Sequence, residues 1–373
     1  MDPFAVLPWE LGRECLLRVP YHSHGNVKAV CKTWEAVVKH PQFYEDRKRL
    51  GTSEQLICLL ELREYLDDTH PNLQMVVSVF DPLRGTRKAL PPLPHFPGSH
   101  NGIPLFPDCV CVNQKLVLFG GSDPSNPDQV EGLKTVFIFD FSSSKWSRGA
   151  DMQARRFSGA FSVSSHGLIY VAGGQDGNNN LLSSAAVYDV FEDKWKLLPD
   201  MSQGRDECYG AFLHGKFFVI SSDSDEEGDL IGWSAEVYDP ERGAWSTLEN
   251  MSDIEGKSPR ECLLVSSSGR LYSFEKHQGV TEYDSDENIW RVLGSLPKTL
   301  DRISCCIAWR GKVFVYGHAE RNVKVCYMYE PPPTRNRTEK QAETNGMWST
   351  IEISENSYLY NGHSIDRAVT FEI

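Results

Sequence analysis

The chain has 373 residues, 40% hydrophobic and 24% charged, which suits one large folded region with a small additional module. Its 38 lysines and arginines against 51 aspartates and glutamates give a formal net charge of −13, so no basic surplus favours a nucleic-acid partner. The sequence lacks a long apolar run and begins without the pattern of a signal peptide. We therefore expect a cytosolic or nuclear protein that does not bind membranes.

The cysteine pattern favours neither disulfides nor a metal site. The 10 cysteines are scattered, and several lie inside apolar runs, where a thiol in a reducing compartment behaves as a small buried hydrophobe. The short pairs Cys109-x-Cys111 and His22-x-His24 lack the second pair that a zinc site requires. We expect no metal and no cofactor.

The segment 1–50 has a helical pattern. Its apolar residues recur mostly at intervals of three or four, with breaks at Pro20 and near Pro41, which predicts three short amphipathic helices and a domain boundary close to residue 50. Three such helices make a poor independent core, so the segment is expected to complete itself against a partner. A helical cap on the following region, with the same residues turned inward, is the alternative.

The apolar residues of this segment resemble the F-box, through which such proteins bind the adaptor Skp1. The resemblance is carried by Leu7-Pro8, Leu11, the run Cys15–Pro20, the run Val30–Trp34 and Pro41-x-Phe43. It implies that Skp1 contacts fall on Leu7, Pro8, Leu11, Leu16, Val19 and Pro20. Val30, Cys31 and Trp34 either join them or hold the helices together.

The remaining residues, 51–373, repeat a unit of four short β-type segments separated by turn residues. An aromatic residue followed by an acid marks the third segment of each unit, with intervals of 59, 49, 50, 45 and 46 residues between successive acids. The six pairs are Phe80-Asp81, Phe139-Asp140, Tyr188-Asp189, Tyr238-Asp239, Tyr283-Asp284 and Tyr329-Glu330. In four units a tryptophan follows the acid by six, at Trp146, Trp195, Trp245 and Trp290, which suggests rings packed between neighbouring sheets.

The double glycines Gly120-Gly121 and Gly173-Gly174, together with the aromatic–acid pairs and tryptophans, resemble the kelch repeat. The resemblance implies a mainly β fold, a six-bladed β-propeller behind a small three-helix F-box module. The first unit lacks its innermost strand, whereas residues 367–373 form a spare strand after the sixth unit. We predict that this last strand completes the first blade and so removes the open edge of the ring.

Arginines recur just before the innermost strands, where one mouth of a propeller channel would lie. They are Arg155, Arg156, Arg205, Arg260 and Arg302. Their side chains either converge into a basic patch for an acidic target, a use that similar kelch domains make of arginines at this location, or cap and pair locally with neighbours such as Asp206 and Asp301. No catalytic constellation or phosphate-binding glycine loop accompanies them, so we expect a protein without enzymatic activity.

Both resemblances together imply a substrate receptor of a Skp1–cullin–F-box ubiquitin ligase, with Skp1 and through it cullin as partners and a target protein on the propeller. The run Leu11–Tyr21, with Trp34, Phe43-Tyr44 and Gly51–Glu54, looks like a plant subgroup. Members of that subgroup direct degradation of phenylalanine ammonia-lyase or of type-B cytokinin response regulators. A kelch scaffold without ligase activity and a propeller enzyme are the alternatives.

Overall fold

The protein, in a computed structural model, is described for residues 8–66, 71–96, 102–123, 132–178, 180–224, 230–248, 251, 262–276, 278–333, 346–351 and 364–373. The described chain begins with four helices, α1 Trp9–Leu17, α2 His24–Val30, α3 Lys32–Lys39 and α4 Pro41–Arg49, with a short 3-10 helix, Tyr21–Ser23, before α2. None of the helices in these ranges has the length and apolar content needed to span a bilayer.

Apart from one further 3-10 helix, Glu320–Asn322, the rest of the regular structure in the described ranges consists of strands. In chain order they are β1 Gln55–Leu66, β2 Pro71–Asp81, β3 Thr86–Ala89, β4 Asp108–Val112, β5 Lys115–Phe119, β6 Val136–Asp140, β7 Lys145–Gly149, β8 Ala160–Val163, β9 Ile169–Ala172, β10 Ala185–Asp189, β11 Lys194–Leu197, β12 Tyr209–Leu213, β13 Lys216–Ser224, β14 Leu230–Asp239, β15 Ala244–Leu248, β16 Cys262–Ser267, β17 Arg270–Glu275, β18 Gly279–Asp284, β19 Ile289–Gly294, β20 Arg302–Trp309, β21 Lys312–His318, β22 Lys324–Glu330, β23 Met347–Thr350 and β24 Ser364–Glu372.

The strands form six four-stranded antiparallel sheets, which are the blades of a propeller. From the innermost strand outward, the blades are β24-β1-β2-β3, β4 to β7, β8 to β11, β12 to β15, β16 to β19 and β20 to β23. Each innermost strand lies beside the innermost strands of the two neighbouring blades, and β24 lies between β20 and β4, so the ring is closed. The predicted six-bladed, mainly β fold is confirmed.

The apolar residues of each strand follow from how deeply that strand is buried within its blade. The second and third strands of a blade, such as β5 and β6, are packed between neighbouring sheets and are buried along almost their whole length. The outermost strand β7 instead alternates between buried and exposed positions. The period of the sequence therefore follows from each blade covering the faces of its neighbours.

The acid of each aromatic–acid pair organises the turn between the third and fourth strands. In the third blade, Asp189 Oδ1 accepts the backbone N–H groups of Phe191 at 2.9 Å and Glu192 at 3.1 Å. In four other blades, the backbone N–H groups two and three residues ahead donate in the same way to the corresponding aspartate, which is Asp81, Asp140, Asp239 or Asp284. A short carboxylate that bonds its own backbone fixes a tight turn, which explains why aspartate recurs at this position.

The recurrent tryptophans join neighbouring blades. The indole N–H of Trp195 on β11 donates to the carbonyl oxygen of Ala150, beyond the end of β7, at 2.8 Å. Its ring stacks on Tyr188 with centroids 4.6 Å apart. Equivalent indole bonds run from Trp146 to Pro91, from Trp245 to Pro199 and from Trp348 to Ser295. Each of these rings contributes apolar packing and one directed bond to the junction between two blades.

The C-terminal strand closes the ring by completing the first blade. β24 pairs with β1 from Gln55 opposite Glu372 to Leu62 opposite Ser364, so the strand begins three residues before the predicted 367–373. Arg367 forms an ion pair of 2.7 Å with Asp108 at the start of β4. The closing strand is thereby bonded to the first blade and paired by charge to the second.

The helical region has four helices, not the three that were predicted. Pro41 was interpreted as a break, but it occupies the first position of α4, where its missing N–H is not needed. The backbone N–H of Gln42 donates to His40 Nδ1 at 3.2 Å and caps this end. Arg13 on α1 pairs with Asp46 on α4, so the fourth helix is part of the module. The module ends at Arg49, and β1 begins at Gln55.

His24 lies in the centre of the helical module. It is buried among Tyr21, Phe43 and Tyr44, and its Nε2 lies 3.0 Å from the carbonyl oxygen of Val19. Burial, and then the nearby charge of Arg47, lowers the pKa of His24 to about 3, although the bond to Val19 acts in the opposite direction. The imidazole is therefore neutral at physiological pH and donates its proton to that carbonyl.

The module is seated directly on the ring. Tyr21 packs edge-on against Phe141 of the second blade and Phe371 of β24, and those two rings stack with centroids 3.9 Å apart. The segment between α4 and β1 pairs with the chain end, because the Glu54 and Ile373 backbones exchange bonds of 2.7 and 2.9 Å. The Glu54 side chain accepts from the Tyr21 backbone at 2.5 Å.

The antiparallel strand order gives the ring two different faces. The turns that join first to second and third to fourth strands, such as 113–114 and 141–144, lie on one face, which we call the turn face. The loops between second and third strands and the connections between blades, such as 173–184 and 150–159, lie on the other, the loop face. Lys28 on α2 donates to the Ser142 carbonyl at 2.7 Å, so the module covers part of the turn face.

Replacing Phe371 by alanine should destabilise ring and module together, because this side chain belongs to the closing strand and contacts both Phe141 and Tyr21. We expect the free energy of unfolding to fall by about 3–5 kcal/mol, as for other buried aromatic truncations. Denaturant unfolding followed by tryptophan fluorescence measures it. The matched control is Phe191→Ala, which removes a ring that is 65% exposed and should have little effect. Equal losses in both variants would contradict this role of Phe371.

Acidification should destabilise the module through His24. Between pH 6.5 and about 3 the unfolded chain binds a proton on this residue that the folded chain excludes, so stability falls as the pH falls through that window. One group contributes about 1.4 kcal/mol per pH unit. In His24→Gln the decline in unfolding free energy between about pH 6.5 and about pH 5 should be shallower by that amount. Equal slopes in His24→Gln and in the unmodified chain would contradict the assignment.

Candidate functional site

Helix α1 presents some apolar side chains outward, while others of the same helix are buried. Leu16 and Leu17 are 2% and 1% exposed and pack in the core that the module shares with the ring. On the outward side, Leu11 is 53% exposed and Trp9 46%. Pro8 is exposed as well. An apolar helix face without an internal partner is typical of a surface that docks against another protein.

The junction of α2 and α3 adds a second group of apolar residues. Val30, the last residue of α2, is 48% exposed, and Cys31 is half-buried between the two helices. Trp34 on α3 is also half-buried and packs against the core of the module, as does Val19, while Pro20 is half-buried. Trp34 therefore contributes to the module core while part of its surface stays accessible.

The predicted adaptor residues thus fall into distinct positions. Pro8, Leu11 and Val30 are exposed, and Val19, Pro20, Cys31 and Trp34 are partly accessible. Leu16 is a correction, because its side chain is buried and cannot contact a partner in this arrangement. Leu7 lies outside the described residues. Trp9 was missed, although its place next to Pro8 at the start of an amphipathic helix was a usable signal.

Arg156 is buried inside the third blade and does not line a channel mouth. Its side chain donates to the carbonyl oxygen of Gly173, and to the hydroxyl and carbonyl oxygens of Ser184 at 3.0 and 3.3 Å. Burial lowers the pKa of Arg156 to about 10. The guanidinium joins the two ends of the loop between β9 and β10, so its role is structural.

Arg205 has the corresponding position in the fourth blade. It donates to the hydroxyl oxygens of Ser221 and Ser234, both at 2.8 Å, and pairs with Glu236 at 3.3 Å. Arg205 and Glu236 are both almost completely buried, and removing one partner of such a pair leaves an uncompensated charge. The prediction that Arg156 and Arg205 form an accessible basic patch is therefore corrected: both bond locally within their own blades.

The glycine pairs allow the backbone of the connections that carry these arginines to approach closely. Gly173 and Gly174 have φ values of +68° and +86°, and a Cβ on Gly174 would lie 2.5 Å from the carbonyl oxygen of Phe157. The backbone N–H of Gly174 donates to the carbonyl oxygen of Arg205 at 2.6 Å. Each connection therefore crosses closely over the glycines of the preceding blade, which a side chain there would prevent.

Two of the five predicted arginines are accessible on the loop face. Arg155, beside the buried Arg156, is exposed, and so is Arg302 at the start of β20. Arg302 Nη2 lies 3.4 Å from His318 Nδ1, and burial together with the Arg302 charge lowers the pKa of His318. Arg260 lies outside the described residues. Arg155 and Arg302 are on the opposite face of the ring from the helical module.

No catalytic arrangement is indicated among the described side chains. They contain no group of three His, Cys, Asp or Glu residues placed to hold a metal ion. Burial raises the pKa of Cys208 to about 12, so this thiol is protonated at neutral pH and is a poor nucleophile.

Known protein families match both the helical module and the propeller. The F-box domain model matches residues 4–46, and the Kelch motif model matches residues 106–153 and 156–202. Among Arabidopsis thaliana relatives, F-box/kelch-repeat protein At1g15670 is 34% identical over 331 residues, and F-box/kelch-repeat protein At1g80440 is 33% identical over 330 residues. Each alignment covers 86% of this chain and 89% of the relative.

F-box/kelch-repeat protein SKIP20 of the same plant is 33% identical over 338 residues, which cover 78% of this chain and 80% of the relative. The two domain models fall on the two structural parts described above, the F-box model on the helical module and the Kelch motif model on the second and third blades. The chain belongs to the F-box/kelch-repeat proteins.

Proposed function

We propose that this protein is the substrate-recognition subunit of a Skp1–cullin–F-box ubiquitin ligase in the cytosol or nucleus. The observation that carries the proposal is the outward apolar face of α1, where Leu11 is 53% exposed while Leu16 and Leu17 of the same helix are buried in the core. Such a face, in a segment that matches the F-box, fits a Skp1-like adaptor and through it cullin. The receptor itself performs no chemistry.

The two faces of the ring support this division of roles. The module is fixed to the turn face by the Tyr21, Phe141 and Phe371 rings, so a bound adaptor would lie on that side. The loop face, with Arg155 and Arg302, stays accessible for a target. A receptor that holds its target at a defined position relative to the ligase raises the local concentration of target lysines near the charged ubiquitin carrier.

The proposed target is a protein with an acidic surface or segment, because Arg155 and Arg302 are the exposed members of the predicted arginine set that the structure describes. The plant subgroup resembled by the F-box sequence suggests phenylalanine ammonia-lyase or a type-B response regulator. The protein would then control phenylpropanoid synthesis or cytokinin signalling by promoting degradation of that target.

Removal of exposed apolar side chains should weaken Skp1 binding without unfolding the chain. We expect Leu11→Ala combined with Val30→Ala to raise the dissociation constant for Skp1 by about 30-fold or more, the effect of losing one good interface anchor. The melting temperature should change little, because both side chains are about half exposed. Isothermal titration calorimetry with purified Skp1 measures the affinity.

The control for the adaptor surface is Leu197→Ala, which removes an equally exposed leucine from an outer strand of the third blade. It should leave Skp1 affinity unchanged. Unchanged affinity in the Leu11/Val30 variant would refute the assignment of this face. If the unmodified chain fails to bind Skp1, a kelch scaffold without ligase activity becomes the better reading.

Charge reversal on the loop face should separate target binding from adaptor binding. We expect Arg155→Glu with Arg302→Glu to weaken binding of phenylalanine ammonia-lyase or a type-B response regulator by about 10-fold or more while Skp1 affinity is retained. The matched control, Arg242→Glu, reverses an exposed charge in a turn of the turn face and should affect neither target. Binding of either target that is insensitive to the loop-face reversal would contradict the arginine assignment.

A further inference from the structure

A cleft of about 320 Å³ lies between the helical module and the first two blades. We call it the joint cleft. Its apolar side is formed by Leu56 of β1, Val79 of β2 and Phe139 of β6. Its polar side includes Lys28 and His22 from the module and Lys88 from β3. The cleft is therefore walled by both parts of the protein, as small-molecule sites at domain junctions often are.

The acids that line the joint cleft are already neutralised. Glu54 pairs with Arg47 at 3.3 Å and with Arg84 at 2.5 Å, in addition to its bond from the Tyr21 backbone. Asp81 pairs with the same Arg84 at 2.5 Å and accepts the backbone N–H groups of its own turn. Neither carboxylate contributes an unbalanced negative charge to the cleft.

Arg87, which also lines the joint cleft, pairs with Glu61, but the two lysines have a different environment. Lys28 donates to the Ser142 carbonyl at 2.7 Å and to the Ser144 hydroxyl at 3.2 Å, which are uncharged partners. The carboxylates near it, Asp140 and Glu35, are themselves paired with other lysines.

Lys88 extends from the outermost strand of the first blade toward the start of α2, where a methyl group on Gly25 would be 3.6 Å from its Nζ. His22 is exposed nearby on the module side. The joint cleft therefore combines an apolar wall with a positive rim.

We propose that the joint cleft is a binding site for a small amphipathic anion, of the class of aromatic carboxylates. The aromatic part would lie against Leu56, Val79 and Phe139, and the carboxylate would meet the ammonium group of Lys88 at the rim. The charge pattern disfavours cations, and the apolar wall disfavours compact, fully hydrated anions such as phosphate. A volume near the lower end of the range for ligand pockets, about 300–1,000 Å³, suits one or two rings.

Occupation of the joint cleft adds contacts between the module and the ring, because each supplies one wall. The ligand therefore stabilises the seated arrangement of the two parts, and the melting temperature rises with the logarithm of the ligand concentration once this exceeds the dissociation constant. This proposal is independent of the role in a ubiquitin ligase, since it concerns the junction within the chain and neither of its two outer surfaces.

The test is isothermal titration calorimetry of the full chain with naphthalene-2-carboxylate as the probe. We expect saturable binding at one site per chain, and binding about 10-fold weaker for the neutral isostere naphthalene-2-carboxamide. Lys88→Gln should weaken carboxylate binding by about the same factor, because it removes the rim charge while keeping most of the side chain.

The matched control for the ligand site is Lys196→Gln, which changes an exposed lysine on the outermost strand of the third blade. Lys196 lies opposite Val187 on the neighbouring strand, just as Lys88 lies opposite Val79 in the first blade. It should bind the carboxylate as the unmodified chain does. Absence of saturable heat, equal affinity for acid and amide, or equal affinities of the two lysine variants would each overturn the proposal.

Discussion

The stacked pair of Phe141 and Phe371 joins three parts of the chain at one point. Phe371 belongs to the strand that closes the first blade, Phe141 to a turn of the second blade, and Tyr21 of the helical module packs edge-on against both. Ring closure and the seating of the module therefore depend on the same residues. Backbone bonds between Glu54 and Ile373 extend this junction to the segment that connects module and ring.

This shared junction determines how the protein can work. With the module covering part of the turn face, the loop face is presented to solvent on the opposite side of a closed ring. The proposed adaptor and target would then bind to different faces and would not compete for surface. The orientation of the helical module relative to the ring is set by packed aromatic rings and paired charges rather than by a flexible linker.

Much of the fold was predictable because its signals are local. The aspartate of each aromatic–acid pair bonds backbone groups two and three residues ahead, so its spacing marks the turn directly. The tryptophan six residues later marks contact with the neighbouring blade, which a period near 50 already suggested. The spare strand at the end of the chain followed from counting, since a closed ring leaves no unpaired edge.

The fourth helix was missed because a proline at the first position of a helix and a proline that ends one look alike in sequence. Two of the arginines, Arg156 and Arg205, were misplaced for a different reason. Arg205 bonds Ser221, Ser234 and Glu236, which lie 16 to 31 residues away, and no local pattern reveals such partners. A glutamate inside the apolar run of β14 was the available clue to an internal cation.

The exposed apolar face of α1 was predictable in kind but not in detail. The pattern of α1 has apolar residues on more than one side, and only packing against the rest of the module decides that Leu16 turns inward and Leu11 outward. The joint cleft was not predictable at all. Its walls come from Lys28, Lys88 and Phe139, which belong to different elements and share no sequence signal.

Hydrogen–deuterium exchange of the full chain with and without Skp1 tests the central claim most directly, because it reports both faces in one experiment. The account predicts that Skp1 slows exchange in the helical module, in α1 and at the α2–α3 junction, and leaves the connections and loops of the loop face unchanged. Protection spread over the loop face, or no protection in the module, would contradict the account.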